Sequence, residues 1–179
     1  MKNRYFFLFA PVTSGSTFLT KILNLFENTL GIPDALFEFF KFIIQKKNKK
    51  KISNKIKIES VYFSKNSTNY LQNCKNINLN KKVKKKDLEV IKDRIIHNSY
   101  FTPEFSNKLK SLSGKNYKIV FFNLIKKLKK IYGNTKTINI CLKHAWIEDI
   151  SLSILKYFNN SRLIFLIRDP RDAILSQYK

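Results

Sequence analysis

The apolar run RYFFLFA at residues 4–10 passes directly into PVTSGST and then into the helix-periodic FLTKILNLF. A short continuous apolar run bounded by turn residues reads as a buried strand. The residues after it, Phe18, Leu19, Ile22, Leu23, Phe26 and Leu30, recur at helical spacing, which predicts an amphipathic helix. Gly15 permits the tight turn between the two. A strand that gives way to a helix in so few residues constrains the chain strongly, because such a unit belongs to a sheet whose strands are joined by helical crossovers.

The turn also has a chemical consequence. Backbone N–H groups at a helix start have no intrahelical partners, and that end of the helix carries roughly half a positive charge. Ser14, Ser16 and Thr17 add short hydroxyl donors around the same point. A phosphate or sulfate fits such a place. A nucleoside-triphosphate loop follows G-x-x-x-x-G-K-[ST], its lysine reaching the terminal phosphates. In the same register this chain has Ala10, then Gly15, and Ser16 where the lysine would stand. The loop is therefore expected to cradle an anion without handling a triphosphate. Two plainer readings stand beside it. The Ser/Thr/Gly cluster serves equally as an N-cap, and Met1–Ala10, with Lys2 and Arg4 ahead of YFFLFAPV, has the outline of a secretory signal.

At 179 residues and 44% hydrophobic content, the chain has one domain's worth of core. No stretch approaches the ~20 apolar residues of a membrane span, so no transmembrane segment is expected. The two cysteines, Cys74 and Cys141, lack metal-ligand spacing, so no metal is expected and a cytoplasmic setting is the default. The net charge of +23 comes from 30 lysines and only five arginines, alongside 19 asparagines and 22 isoleucines. AT-rich codons alone produce that skew. Dedicated nucleic-acid readers favour arginine for bidentate contacts, so no specific nucleic acid is expected. A solvated basic surface that gathers an anionic nucleotide fits better.

Along the chain, an ordered start and an ordered end flank a lysine-rich middle, residues 45–115, with QKKNKKKISNKIK at 45–57 and NCKNINLNKKVKKK at 73–86. Gly31–Asp34 reads as a turn, Ala35–Ile44 as a short apolar helix, and residues 59–63 as a strand within the middle. Helical patterns follow at Asp87–Asn98, Pro103–Ser111 and Tyr117–Tyr132, the last stopping at Gly133. TINICL (137–142) and RLIFLI (162–167) read as strands, with an amphipathic helix at Ile147–Phe158 between them. Continuous apolar strands between helices indicate a parallel sheet buried on both faces, which gathers ligands at the carboxyl ends of its strands.

The second strand of that pair runs into Arg168-Asp169-Pro170-Arg171-Asp172 and then AILSQY. Two arginines at a strand's carboxyl end form a second anion-binding candidate. The alternative is an ordinary capped loop in which Arg168 and Arg171 pair with Asp169 and Asp172.

Taken together, the two segments resemble the sulfotransferases that use 3′-phosphoadenosine-5′-phosphosulfate (PAPS). PVTSGSTFL is similar to that family's 5′-phosphosulfate loop, P-[RK]-S-G-[ST]-T-x-L. LIFLIRDPRDAILSQY is similar to its 3′-phosphate motif, in which a serine follows the first arginine by eight residues, as Ser176 follows Arg168. The intervening CLKHAWIEDISLSILKYFNNSR also resembles the family's strand, K-T-H or K-x-P element and helix. The likeness spans about residues 3–30 and 137–178, and the lysine-rich middle matches nothing in it.

The resemblance implies a single P-loop-like α/β domain over 1–179: a parallel sheet flanked by helices, with residues 45–115 as a variable helical and loop insertion. It implies PAPS as sulfuryl donor, no metal, and a small-molecule or carbohydrate acceptor whose hydroxyl or amine is sulfated. Thr13, Ser14, Gly15, Ser16 and Thr17 would hold the phosphosulfate, Phe18 would lie against the adenine, and Arg168 and Ser176 would take the 3′-phosphate. His144 is the expected base and Lys143 the group that neutralises the leaving side, with the division of roles between these neighbours open. Thr13 departs from the pattern, which has Lys or Arg there; a lost donor at developing charge costs roughly 100- to 1,000-fold in rate. Family members also continue past this motif, so the chain is expected to be a truncated member. A P-loop kinase with a degenerate loop and a non-catalytic basic nucleotide- or nucleic-acid-binding fragment are the competing classes. The absence of Gly-Lys-Ser and of an obvious magnesium-binding aspartate counts against the kinase.

Overall fold

A computed structural model describes residues 3–10, 14–33, 36–47, 77–98, 103–144, 150–169 and 171. Its element order is β1 (Arg4–Phe9), α1 (Ser16–Leu23), β2 (Thr29–Pro33), α2 (Phe37–Lys47), α3 (Lys85–Asn98), α4 (Pro103–Leu109), α5 (Tyr117–Tyr132), β3 (Asn139–His144), α6 (Ser151–Tyr157) and β4 (Ser161–Phe165). The four strands form one parallel sheet in the order β2-β3-β1-β4. The α/β architecture expected from the alternation of apolar runs and helices is present. The strand expected at residues 59–63 lies outside the described residues.

One expectation about local structure is overturned. The helix predicted through Leu30 stops at Leu23, and the predicted turn at 31–34 is largely strand: Thr29–Pro33 pairs with Asn139–Lys143 of β3. The reason is visible at Asn24. Its side chain accepts a hydrogen bond from the Gly31 N–H (2.6 Å) and donates one to the Gly31 carbonyl (3.0 Å). The amide thus occupies the outer backbone positions of an edge strand instead of facing solvent from a helix. Phe26, which continues the helical pattern in the sequence, is 58% exposed, so its spacing carries no packing. Gly31 is required here by close approach: a Cβ would stand 2.6 Å from the Thr20 carbonyl oxygen of α1.

Strand alternation sorts the sheet into two faces. Phe7, Phe9, Leu30, Ile32, Ile140 and Leu142 face the large core, which α2, α3, α4, α5 and α6 complete. Phe7 lies 6.2 Å from Phe121 of α5 and 5.6 Å from Phe158, which follows α6. The other face carries Gly31 and Lys143, against α1.

Helix α5 shows how the core is written into the sequence. Asn116 caps it by accepting from the Ile119 N–H (2.9 Å), and Tyr117, Val120, Phe121, Leu124, Ile125 and Leu128 form the buried stripe. Ile77, Leu79, Ile91, Ile95, Phe105, Leu109 and Leu112, all within the lysine-rich middle, also belong to this core. Burial on both faces, expected for every strand, holds for β3 and for the carboxyl half of β1. It fails for β4, an edge strand on which Ile164 and Phe165 are exposed.

Candidate functional site

Because β3 and β4 flank β1, the carboxyl ends of all three strands lie side by side. The loop after β1, the end of β3 and the segment after β4 therefore share one edge of the sheet. The register is tight there: Leu8 pairs with Lys143 and Phe9 with His144, Phe9 pairs with Phe165, and the Leu166 N–H donates to the Phe9 carbonyl at 2.9 Å.

At the loop, Gly15 is the N-cap of α1 with φ +83°, the left-handed region that favours glycine. A Cβ built at Gly15 meets nothing within 4 Å, so conformation rather than crowding selects glycine, and the space beside the turn is open. No side chain caps α1, and the first helical bond runs from the Leu19 N–H to the Gly15 carbonyl. The N-cap reading of the serines and threonines is thus not what these side chains do among the described residues. Ser14 is 8% exposed, and its buried Oγ has no hydrogen-bond partner among the described residues. Such a group is costly unless something pairs with it. Ser16 is buried, with its carbonyl accepting from Thr20 Oγ1 at 2.7 Å. Thr17 and Phe18 are exposed, Phe18 by 68%. Thr13 lies outside the described residues.

The last two residues of β3 diverge. Lys143 points to the α1 side, where its Nζ stands 3.4 Å from Thr17 Oγ1. His144 points to the opposite face and is 1% exposed. Its ring lies 6.2 Å from Phe7, 6.1 Å from Phe9 and 5.6 Å from Phe40. Neither ring nitrogen has a hydrogen-bond partner among the described residues. Burial, with a smaller contribution from the charge of Lys143, pushes its pKa down to about 3. The imidazole is therefore neutral at pH 7 and a weak proton acceptor. Both residues lie within the strand, which runs two residues past the end expected from the sequence, rather than after it.

Past β4, Arg168 is exposed. Arg171 is engaged by Asp169, which accepts from its backbone N–H (2.9 Å), its Nε (3.1 Å) and its Nη2 (2.7 Å). Each partner favours the charged form of the other, so the Asp169 pKa is lowered and the Arg171 pKa raised. The capped-loop alternative is realised for this pair. Ser176 and Asp172 lie outside the described residues.

The edge thus brings together Ser14, Gly15, Ser16, Thr17, Phe18 and Lys143, with Arg168 on the adjoining strand's extension. Cys141, in the middle of β3, is buried, and burial raises its thiol pKa to about 11, which leaves it inert as a nucleophile. No group of histidine, cysteine and acidic residues arranged to hold a metal occurs among the described residues. No helix among them is long and apolar enough to cross a membrane. Neither the Asn24 clamp nor the Ser14 hydroxyl, unpaired among the described residues, has a signal in the local sequence pattern. The opposite orientations of Lys143 and His144 follow from strand alternation once the strand is extended by two residues. No family model matches the chain, and neither curated proteins nor solved structures show a significant match.

Proposed function

We propose that the carboxyl edge of the sheet binds a nucleotide carrying two separated anions, and that the chain is related in function to PAPS-dependent sulfotransferases. The observation that carries this reading is the adjacency of β1, β3 and β4. It puts a helix-start loop whose buried Ser14 hydroxyl has no partner among the described residues, a lysine beside that loop, and an exposed arginine along one edge. In this reading the N–H groups at the start of α1, with Ser14 and Thr17, hold the 5′-phosphosulfate. Arg168, with Ser176, takes the 3′-phosphate. Phe18, a largely exposed ring beside the loop, is available to the adenine face.

The reaction would be in-line transfer. The acceptor oxygen or nitrogen forms a bond to sulfur while the bond from sulfur to the bridging oxygen breaks. Adenosine 3′,5′-bisphosphate leaves with that electron pair, and the acceptor proton passes to a base. Lys143, already at Thr17, is the cation suited to the charge that develops on the bridging oxygen. His144 enters as a structural ring. Facing away from Thr17, with a pKa near 3, it is roughly 3,000-fold less basic than an ordinary imidazole.

Thermal denaturation tests the ligand class. Adenosine 3′,5′-bisphosphate raises Tm in proportion to the logarithm of its concentration, and Mg–ATP does so more weakly. A larger shift from Mg–ATP would favour the kinase class instead.

A further inference from the structure

The helical layer carries a second basic surface away from the carboxyl edge. Helix α5 leads from its C-terminus into the start of β3, and Lys129 Nζ in its last turn contacts Asn3 Oδ1 (2.9 Å), just before β1. The lysines of that last turn therefore lie toward the amino ends of the strands. Three elements converge beside them. Lys127 Nζ of α5 donates to Ser111 Oγ at 2.7 Å, and Ser111 Oγ donates to the Lys108 carbonyl of α4 at 3.0 Å. Lys92 Nζ of α3 donates to the Lys110 carbonyl at 3.1 Å.

This convergence crowds ammonium groups. The Lys127 pKa is lowered, first by burial and then by the charges of Lys130, Lys108 and Lys92. Two exposed carboxylates offset part of the charge: Glu89 pairs with Lys92 at 3.0 Å and Glu104 with Lys108 at 2.6 Å. Lys110, Lys126, Lys127 and Lys130 have no carboxylate partner among the described residues. Like charges held together without counter-charges stabilise nothing within the chain, whereas a polyanion neutralises them and releases its own counterions.

We infer that this face, Lys92, Lys108, Lys110, Lys126, Lys127 and Lys130, docks the phosphate backbone of a duplex nucleic acid without reading its sequence. Its chemistry narrows the partner. The cluster contains lysines and no arginine, so it offers point charges to phosphates rather than bidentate contacts to base edges. Among the described residues the one exposed aromatic ring on α3, α4 or α5 is Tyr132, about 200° around α5 from Lys130, so the lysines lack the array of rings on which single-strand binders stack unpaired bases. The other exposed apolar side chains of the described residues, Phe18, Leu25, Phe26, Leu152, Leu155, Ile164, Phe165 and Ile167, belong to other elements, so the face offers no apolar cluster to insert into a membrane.

The test compares two triple variants of the full chain by fluorescence anisotropy with a labelled mixed-sequence duplex of ~20 base pairs. One neutralises the face by Lys110→Gln, Lys126→Gln and Lys130→Gln, sparing Lys127 and its bond to Ser111. The control removes the same charge elsewhere by Lys21→Gln, Lys82→Gln and Lys156→Gln. The face variant is expected to bind about tenfold or more weakly near 0.1 M salt, with its log–log salt slope reduced by about 3. The control is expected to change less than about threefold, and saturating adenosine 3′,5′-bisphosphate should leave duplex affinity intact because its site is at the other edge. Equal weakening of both variants, displacement by the bisphosphate, or binding to heparin fragments or anionic vesicles without binding to duplex would overturn the inference.

Discussion

Lys143 Nζ stands 3.4 Å from Thr17 Oγ1, joining two residues 126 positions apart in the chain. The contact links the end of β3 to the first turn of α1 and makes one site of two sequence segments. A charge-assisted contact of this kind is worth roughly 1.5–3 kcal/mol to a bound anion. Lys143→Met, which keeps the apolar stem, is expected to weaken adenosine 3′,5′-bisphosphate binding about tenfold or more. Equilibrium titration of the purified variant checks this, with circular dichroism confirming that the sheet is retained.

Gly15 offers a separate handle on the loop. Its φ of +83° is accessible to other residues only with strain, and a Cβ there has open space around it. Gly15→Ala should therefore cost about 1–2 kcal/mol from backbone conformation alone. Chemical denaturation measures the loss, and an unchanged midpoint would mean that the turn relaxes away from the left-handed region.

His144 sets a pH dependence whose sign follows from its burial. Unfolded, the imidazole binds a proton with a pKa near 6.5, whereas in the fold that value is about 3. Between these values the unfolded chain holds one more proton, so stability rises with pH across that window and is constant above it. As pH falls from 6.5 to 5, the fold should lose about 1.6 kcal/mol in all from this group, the slope approaching about 1.4 kcal/mol per pH unit at the lower end. His144→Phe, placed among Phe7, Phe9 and Phe40, should flatten that part of the profile. Denaturation midpoints of both proteins at several pH values give the comparison.

How much of this was legible in the sequence depends on which physical signal each part uses. The stripe of α5 and the apolar runs of β1 and β3 are periodic and were readable, as was the Gly-containing turn at Gly15. Strand β2 was not, because Phe26 and Leu30 imitate a helical period while Phe26 is exposed. What ends the helix is a side-chain clamp from Asn24 to Gly31, seven residues on, and no helix propensity encodes it. The roles of Lys143 and His144 stayed entangled for a related reason. They are adjacent in sequence, and a strand that includes both must send them to opposite faces. Thr13 and Ser176, the positions on which the proposed phosphosulfate and 3′-phosphate contacts most depend, lie outside the described residues.

The clamp itself is testable. Asn24→Ala removes both hydrogen bonds to Gly31 and exposes an edge strand, at an expected cost of about 1–3 kcal/mol. Gly31→Ala should cost at least as much, since its Cβ would meet the Thr20 carbonyl at 2.6 Å. Hydrogen exchange at β2 amides should rise in both variants while α5 amides stay protected.

Buried Arg94 on α3 donates to Gln45 Oε1 on α2 at 2.7 Å and lies 4.0 Å from Glu38. Arg94→Met should destabilise the fold by about 3 kcal/mol, because Glu38 and Gln45 keep their burial and lose this cation. Thermal unfolding of the variant measures it, and bisphosphate affinity at the distant carboxyl edge should be preserved in the folded fraction.

Calorimetric titration with two ligands distinguishes an edge that holds two anions of one nucleotide from an edge that holds one. Adenosine 3′,5′-bisphosphate and adenosine 5′-monophosphate differ only in the 3′-phosphate assigned to Arg168. The wild-type chain should prefer the bisphosphate by about tenfold or more. Arg168→Ala should erase that preference while leaving 5′-monophosphate binding unchanged. Equal affinity of the wild type for the two ligands, or a preference that survives in Arg168→Ala, would contradict the two-anion site.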